Sequence, residues 1–345
     1  MKIDRRTLRS GEDFAAAGLA EPAVVDQVAE RYTVAMTPLL AKLVDPADPQ
    51  DPVALQFVPD LREMETAAIE RSDPIGDHAF SPVKGIVHRY PDRLLLTPLL
   101  HCPVYCRFCF RRERVGGPEK ALDEAELSAA LDYIRAHEEV WEVVITGGDP
   151  LMLSPLRLAA MMRALDAIPH VKIIRLHSRI PVADPDRITE EMIAALQVER
   201  ATVWLAVHCN HEKELSPPAV AALRSLSRAG IPLLGQTVLL KGVNDRAETL
   251  EALFRALVAN RVKPYYLHQL DLAAGTDHFR VPVEEGRALM RELRGRVSGV
   301  CQPTYILDIP GGHGKVPIGP AYLEEGIVMD WQGGAHDYAP DTAQR

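Results

Sequence analysis

Residues 93–110 read RLLLTPLLHCPVYCRFCF, an apolar run that leads directly into three closely spaced cysteines. A short apolar run bounded by turn residues is typical of a buried β-strand. Five further runs of this kind follow along the chain, at 141–146, 171–176, 202–208, 232–240 and 262–269. The first run therefore predicts the opening strand of a repeating pattern.

Amphipathic segments lie between these runs. Helices are predicted near 121–138, 154–168, 187–197, 216–230, 246–260 and 283–296. Repeated strand–helix units favour a parallel sheet covered by helices. Six units are too few for a complete eight-stranded barrel, so the pattern predicts a partial (β/α)6 barrel. Periodicity alone leaves an open doubly wound sheet as an alternative.

Polar residues gather where the predicted strands end. The cysteines follow the first strand, Gly147-Gly148-Asp149 the second, and His177-Ser178-Arg179 the third. His208 ends the fourth strand, and Asp271 comes just after the sixth. In both architectures chemistry takes place beyond the carboxyl ends of the strands, so these residues predict one common site.

The composition restricts the class of protein. Of the 345 residues, 47% are apolar and 25% are charged, which are ordinary values for a soluble globular chain. A formal net charge of −9 argues against a general nucleic-acid or anionic-membrane surface. We find no secretory signal at the start of the sequence and no apolar run of the ~20 residues that a membrane span needs. We therefore expect a cytoplasmic protein, in which cysteines stay reduced.

Cys102, Cys106 and Cys109 form a C-x3-C-x2-C pattern. Thiolates suit iron–sulfur clusters, and three cysteines without a close fourth would leave one iron of a [4Fe–4S] cluster open. Zinc is the alternative, with His101 or a distant residue as the fourth ligand. A buried structural triplet is disfavoured because three arginines, Arg107, Arg111 and Arg112, make the loop basic.

Four separated motifs carry a resemblance to a known family: CPVYCRFCFRR at 102–112, TGGDPL at 146–151, PYYLHQLD at 264–271 and DIPGGHGK at 308–315. Together they resemble the lysine 2,3-aminomutase family of the radical S-adenosylmethionine (SAM) superfamily, over about residues 75–325. The resemblance implies a radical SAM core over 88–299, an N-terminal helical arm over 1–87, and a C-terminal segment over 300–345 that binds pyridoxal phosphate.

The implied activity is that of an isomerase, which converts L-lysine to β-lysine with a [4Fe–4S] cluster, SAM and pyridoxal phosphate. The three cysteines would hold the cluster. The resemblance assigns SAM contacts to five residues: Gly147, Gly148, Asp149, His208 and Gln236. Glycines let backbone approach a ligand, and a carboxylate accepts from an ammonium. A common strand-to-helix turn, or polar groups at strand ends, are the alternatives.

Lys315 corresponds to the lysine that holds pyridoxal phosphate, and Arg93 to the arginine that binds its phosphate. A lysine after a glycine-rich approach can reach a carbonyl cofactor and form an imine. The competing P-loop interpretation of 310–315 lacks the G-x4-G-K-[ST] spacing. A planar arginine fork suits phosphate, although Arg93 could equally be a surface residue of a turn.

The resemblance assigns substrate recognition to three charged residues. Arg111 would pair with the amino-acid carboxylate, and Asp271 and Asp308 would bind the side-chain ammonium of lysine. Two carboxylates that close on one cation select lysine and repel glutamate. Each acid alone would more often be a solvated loop residue.

Other expectations concern partners and alternatives. A reducing donor such as flavodoxin or ferredoxin would supply an electron, and a homo-oligomer is expected. The cysteine-containing zinc site that some relatives carry in a C-terminal tail is expected to be absent. Two other hypotheses remain: a related enzyme that acts on another amino acid or in elongation factor P lysine modification, and a structural metal-binding protein.

Overall fold

A computed structural model describes residues 6–118 and 121–338. Its main sheet has nine strands in sequence order: β1 (Ile86–Tyr90), β2 (Arg93–Leu99), β3 (Glu142–Gly147), β4 (Ile173–Ser178), β5 (Thr202–His208), β6 (Leu233–Val238), β7 (Val262–His268), β8 (Thr304–Asp308) and β9 (Lys315–Pro317). Strands β2 to β8 run parallel, and the edge strands β1 and β9 are antiparallel to their neighbours. The sheet forms a curled partial barrel, as the sequence predicts.

Helices connect the parallel strands. They are α5 (Glu124–Ala136), α6 (Pro155–Asp166), α7 (Ile180–Ala183), α8 (Glu190–Ala195), α9 (Pro217–Arg228), α10 (Ala247–Ala259) and α11 (Val283–Arg296). Side chains cap four of them at their first turn, from Asp123 before α5, Ser154 before α6, Thr189 before α8 and Ser216 before α9. Capping of this kind stabilises a helix start by about 1 kcal/mol.

The pattern of six strands extends to a seventh. Strand β8 pairs in parallel with β7, so the six predicted strand–helix units carry one further parallel strand. The core lies between the sheet and its helices and consists of aliphatic side chains such as Leu96, Ile145, Leu176 and Leu205. Buried and half-buried residues alternate along β2, β4 and β6, so one face of these strands is covered more completely than the other.

The N-terminal region packs against the same barrel. It contains α1 (Gly11–Ala16), α2 (Pro22–Ala29), α3 (Pro38–Leu43) and α4 (Pro52–Phe57), which share an apolar cluster of their own. Val104 of the cysteine loop belongs to that cluster, so the helices contact the loop directly. The predicted helical arm is therefore part of the wall around the cysteines.

Near the C-terminus, three short strands form a separate sheet: β10 (Leu323–Glu324), β11 (Ile327–Met329) and β12 (Ala335–Asp337). The predicted division at 87/88 and 299/300 stays a prediction, and residues 1–5 and 339–345 of its outer segments lie outside the described part. None of the described helices has the length and apolar character needed to cross a membrane.

Candidate active site

A cavity of about 550 Å³ lies inside the barrel. Its volume is within the usual range for a small-molecule site. Every site residue predicted from the sequence lines it: Arg93, Cys102, Cys106, Cys109, Arg111, Gly147, Gly148, Asp149, His208, Gln236, Asp271, Asp308 and Lys315. The structure thus brings together residues that are up to 222 positions apart in the sequence, from 93 to 315.

The cysteine loop is held in place by the N-terminal region. The Tyr105 amide donates to the Ala35 carbonyl at 3.1 Å, and the Arg107 amide donates to the Gln56 carbonyl at 2.9 Å. All three cysteines are free thiols. Burial raises the pKa of each thiol, to about 11 for Cys106, so a bound cation is needed to keep the thiolates at neutral pH.

Two of the three arginines that make this loop basic, Arg107 and Arg112, are buried. Arg107 is buried, and its Nη2 lies 2.6 Å from an oxygen of Glu63, which Arg112 also contacts. A guanidinium removed from water needs a counter-charge, and Glu63 supplies it. The loop is therefore anchored by buried ion pairs.

Both glycines of the Gly147-Gly148-Asp149 turn are required locally, Gly148 by the start of the cysteine loop and Gly147 by its positive φ and by strand β2. A Cβ atom on Gly148 would lie 2.4 Å from the backbone nitrogen and oxygen of His101, and Gly147 has a φ of 107°. The Asp149 amide donates to the His101 carbonyl at 2.9 Å. The start of the cysteine loop thus approaches Gly148 closely, and the predicted ligand contacts of both glycines stay predictions.

The carboxylate of Asp149 anchors the following turn. It accepts hydrogen bonds from the Ser178 hydroxyl at 2.8 Å and from the Arg179 amide at 2.7 Å, and a longer one from the Ile180 amide. Burial raises the pKa of this carboxyl despite these bonds. Its predicted contact with a methionyl ammonium stays a prediction, and its observed partners hold the end of β4.

His208 and Gln236 lie side by side on β5 and β6, as the register shows. The ring of His177 on β4 is 5.6 Å from that of His208. Burial lowers the pKa of His208 to about 3 and lowers that of His177 as well, so both imidazoles are neutral. Among the described residues, neither Nε2 of His177 nor Oε1 of Gln236 has a hydrogen-bond partner. These buried atoms fit a polar molecule bound in the cavity.

Lys315 and Asp308 face each other across β8 and β9. The lysine Nζ donates to both oxygens of Asp308 at 2.5 Å. Burial favours protonation of Asp308, but the His268 contact and the Lys315 charge outweigh it and lower its pKa to about 2. Burial and the Asp308 charge raise the pKa of the neighbouring Asp271 to about 7. This end of the cavity is anionic and already holds a primary ammonium.

Arg111 has a partner that the sequence analysis missed. Its Nη2 donates to Asp77 at 2.9 Å and its Nη1 to the Thr146 hydroxyl at 3.3 Å. Arg89 donates to the other oxygen of Asp77 at 2.9 Å. Burial alone would raise the pKa of Asp77, but the two arginines hold it below its usual value. Arg111 is thereby fixed in orientation, with N–H groups left to bind a carboxylate.

Arg93 lies at the opposite end of β2 from the cysteines. It stacks 3.7 Å from the centre of the Tyr90 ring and donates to Asp92 at 2.6 Å. Arg175, which also lines the cavity, donates to Glu142 at 2.9 Å. Each of these arginines is paired with a carboxylate, so this end of the cavity carries two ion pairs. The phosphate role of Arg93 stays a prediction.

Comparison with known proteins adds independent evidence. The profile of the radical SAM superfamily matches residues 96–256, and the profile described as Lysine-2,3-aminomutase matches residues 290–328. The L-lysine 2,3-aminomutase of Acetoanaerobium sticklandii is 42% identical over 299 residues, which cover 87% of this chain and 72% of that protein. The chain belongs to the lysine 2,3-aminomutase family.

Two further relatives have names that give different substrates. The L-lysine 2,3-aminomutase of Clostridium subterminale is also 42% identical, over 87% of this chain and 72% of its own. The glutamate 2,3-aminomutase of Clostridioides difficile is 38% identical over a region that covers 91% of this chain and 75% of that protein. Among solved structures, a radical SAM methyltransferase from Sphaerobacter thermophilus has a TM-score of 0.46 and 22% identity, and the match covers 64% of this chain and 68% of that one. This similarity is too low to bear on function. Since family members differ in substrate, the site must decide it.

The residues present fit the cofactors that the family implies. Three thiols in one wall of the cavity suit a [4Fe–4S] cluster with one open iron. Among the described residues no group of three or more His, Cys, Asp or Glu could hold a single metal ion. A cluster does not need such a group, because each thiolate binds a different iron. The unpartnered atoms of His177 and Gln236 fit SAM, while Lys315 and the nearby arginines fit pyridoxal phosphate.

Proposed function

We propose that this enzyme is an L-lysine 2,3-aminomutase, which moves the amino group of free L-lysine from C2 to C3 and forms β-lysine. One observation supports the choice of substrate. The ammonium of Lys315 donates to the buried carboxylate of Asp308, and Asp271 is a second acid in the same part of the cavity. A lysine side chain ends in the same group. The L-lysine 2,3-aminomutases at about 42% identity support this activity.

The charge of this subsite also separates lysine from glutamate. A glutamate side chain would bring a third carboxylate against Asp271 and Asp308 in a cavity that screens charge poorly. Arginine carries a cation, but its planar fork is longer and wider than an ammonium. The pair of acids therefore supports a compact primary ammonium at the far end of the substrate.

At the other end of the substrate, Arg111 would bind the α-carboxylate. Asp77 and Thr146 hold its guanidinium in one orientation. Arg111 and Asp308 both line the cavity, so the amino acid would bind between two fixed charges. Carbons C2 and C3 are then held in one place, which lowers the entropic part of the barrier.

The cofactors carry the difficult chemistry. When bound, the reduced cluster and SAM supply a carbon-centred radical that takes a hydrogen atom, and pyridoxal phosphate supplies a conjugated group across which nitrogen migrates. Cys102, Cys106 and Cys109 would hold three irons, and the Lys315 amine would bind the pyridoxal carbonyl. Arg93 would pair with the phosphate.

Other features of the enzyme are also proposed. A one-electron donor such as flavodoxin or ferredoxin would reduce the cluster, since the reaction starts with an electron. A homo-oligomer and a cytoplasmic location stay predictions, as do the boundaries at 87/88 and 299/300. The alternative function, lysine modification on elongation factor P, is distinguished by the deuterium experiment that follows.

The decisive experiment uses lysine that carries deuterium at C3. The reconstituted, reduced enzyme is incubated anaerobically with SAM and the labelled amino acid, and 5′-deoxyadenosine is analysed by mass spectrometry. We expect deuterium to appear there with lysine and not with C3-deuterated glutamate or arginine. Label from glutamate would contradict the proposal, and label only from a lysine on elongation factor P would favour the alternative.

A further inference from the structure

The imidazole of His268 lies in the anionic part of the cavity and has no role in the function proposed above. His268 is the last residue of β7, and Asp308 is the last residue of the neighbouring β8. Its Nδ1 lies 3.5 Å from an Asp308 oxygen, and the residue lines the cavity although its side chain is only 8% exposed. Its Nε2 is buried and has no hydrogen-bond partner in residues 6–118 and 121–338.

The surroundings determine which ring nitrogen carries the proton. An ionised carboxylate only accepts, so Asp308 favours the proton on Nδ1 and leaves the lone pair on Nε2. Burial lowers the pKa of His268 although Asp308 pulls it upward, so the ring is neutral at pH 7. The unpartnered Nε2 is therefore a hydrogen-bond acceptor.

A second unpartnered acceptor lies nearby. Oδ1 of Asp271 is buried and lacks a partner in the described part of the chain. Asp271 and His268 line the same cavity as Lys315. The Lys315 ammonium donates to both carboxylate oxygens of Asp308. Two buried acceptors in the lining of this cavity, Nε2 of His268 and Oδ1 of Asp271, thus have no partner among the described residues.

We propose that His268 is a specificity-determining residue, whose Nε2 is the third hydrogen-bond acceptor for the side-chain ammonium of the substrate, beside Asp308 and Asp271. This inference rests on the proposed lysine 2,3-aminomutase function. A primary ammonium has three N–H donors, which match three acceptors. Once Lys315 is engaged with pyridoxal phosphate, its amine leaves Asp308 and the substrate ammonium takes that place.

The arrangement explains selection against an uncharged side chain. A substrate that ends in a methyl group would leave three buried acceptors without partners, and a site built for hydrogen bonds rejects such an analogue strongly. The neutral imidazole also adds an acceptor without a third negative charge. Crowding of like charges around Asp271 is therefore not increased.

Two variants separate the functions of the two ring nitrogens. In His268→Asn the amide nitrogen replaces Nδ1 beside Asp308, and the group at Nε2 is lost. In His268→Gln the amide oxygen replaces the acceptor at Nε2. Each cofactor-loaded protein is titrated with L-lysine and with L-norleucine, which has the same chain length without the ammonium, and binding is followed by the change in pyridoxal phosphate absorbance.

We expect His268→Asn to weaken lysine binding about tenfold and norleucine binding by less than about twofold, since one hydrogen bond to a charged group is lost. His268→Gln should keep the preference for lysine within about threefold of the wild type. Equal weakening of both amino acids in His268→Asn, or unchanged lysine binding, would overturn the proposal.

The remaining outcomes are also distinguishable. If His268→Asn does not fold, loss of the lysine preference in a folded His268→Gln protein overturns the inference, and its retention supports it. A wild-type protein that binds norleucine as well as lysine would overturn the proposed function together with this inference. A wild-type preference that survives in His268→Asn overturns the inference alone.

Discussion

The substitution Asp308→Asn tests the anionic subsite most directly. It keeps the size of the side chain and removes one negative charge from a residue that is 5% exposed and bears the Lys315 ammonium. We expect weaker binding of lysine by the cofactor-loaded enzyme. Binding of norleucine, which has no side-chain ammonium, should be nearly unchanged.

The magnitude follows from two opposing effects. A hydrogen bond to a charged group contributes about 1.5–3 kcal/mol, equivalent to a loss of about tenfold to about 150-fold. The charge of Asp308 is also one cause of the raised pKa of Asp271, which is about 7. Without that charge the pKa of Asp271 falls, so Asp271 ionises at neutral pH and partly replaces the lost carboxylate. We therefore expect about 2 kcal/mol, or about a 30-fold rise in Kd.

The same reasoning predicts a pH dependence. Asp271 loses its proton as the pH rises through about 7, so the wild-type subsite gains negative charge and should bind the lysine cation more tightly. Asp271→Asn should thus have little effect near about pH 6, where the native group is already neutral, and a clear effect near about pH 8. In Asp308→Asn this dependence should move to lower pH.

The assay is an anaerobic titration with lysine, followed by pyridoxal phosphate absorbance at several pH values, with norleucine as the control ligand. A Kd for Asp308→Asn within about threefold of the wild type would refute the reasoning, because no charged contact would then have been lost. Equal effects of Asp271→Asn at about pH 6 and about pH 8 would refute the expectation that Asp271 gains its negative charge between these pH values.

Three further predictions concern the framework around this subsite. Lys315→Ala should abolish trapping of pyridoxal phosphate by borohydride on that peptide, read by mass spectrometry, and an equally labelled variant would contradict its role. Gly148→Ala should lower the iron content after reconstitution, because its Cβ would lie 2.4 Å from the His101 backbone; about four irons per chain would argue otherwise. Glu63→Gln should cost about 3–5 kcal/mol of unfolding free energy, since two buried arginines lose their counter-charge, and an unchanged denaturation midpoint would disprove this.

The repeating part of the fold was predictable from the sequence because each buried strand is a continuous apolar run followed by an amphipathic helix. Strand β8 was not recognised, since its five residues, TYILD, follow a short loop and close no further strand–helix unit. The edge strands β1 and β9 were also not recognised. Strand β9 is exposed and only three residues long, so no apolar periodicity marks it.

Site residues that belong to sequence motifs were predictable, whereas residues whose role depends on tertiary contacts were not. The cysteines, Lys315 and the two acids all line one cavity, as their motifs predict. Glu63 and Asp77 lie in an irregular region, where single acids have no periodic signal. Their importance depends on the arginines that the folded chain brings to them. His268 stands in a recognised motif, but its unpartnered nitrogen is visible only in three dimensions.

The position of Lys315 on an edge strand has a consequence for how the enzyme could be altered. Its amide donates to the Tyr90 hydroxyl at 2.7 Å, so the first and last strands of the main sheet meet at this residue. Strand β9 is exposed and adds nothing to the apolar core, whereas Asp308 before it is buried. Residues 315–317 lie outside the apolar core, whereas Ile318 directly after them packs against it. Substitutions on the exposed strand β9 would therefore change the surroundings of Lys315 with less effect on the core than substitutions at Asp308 or Ile318.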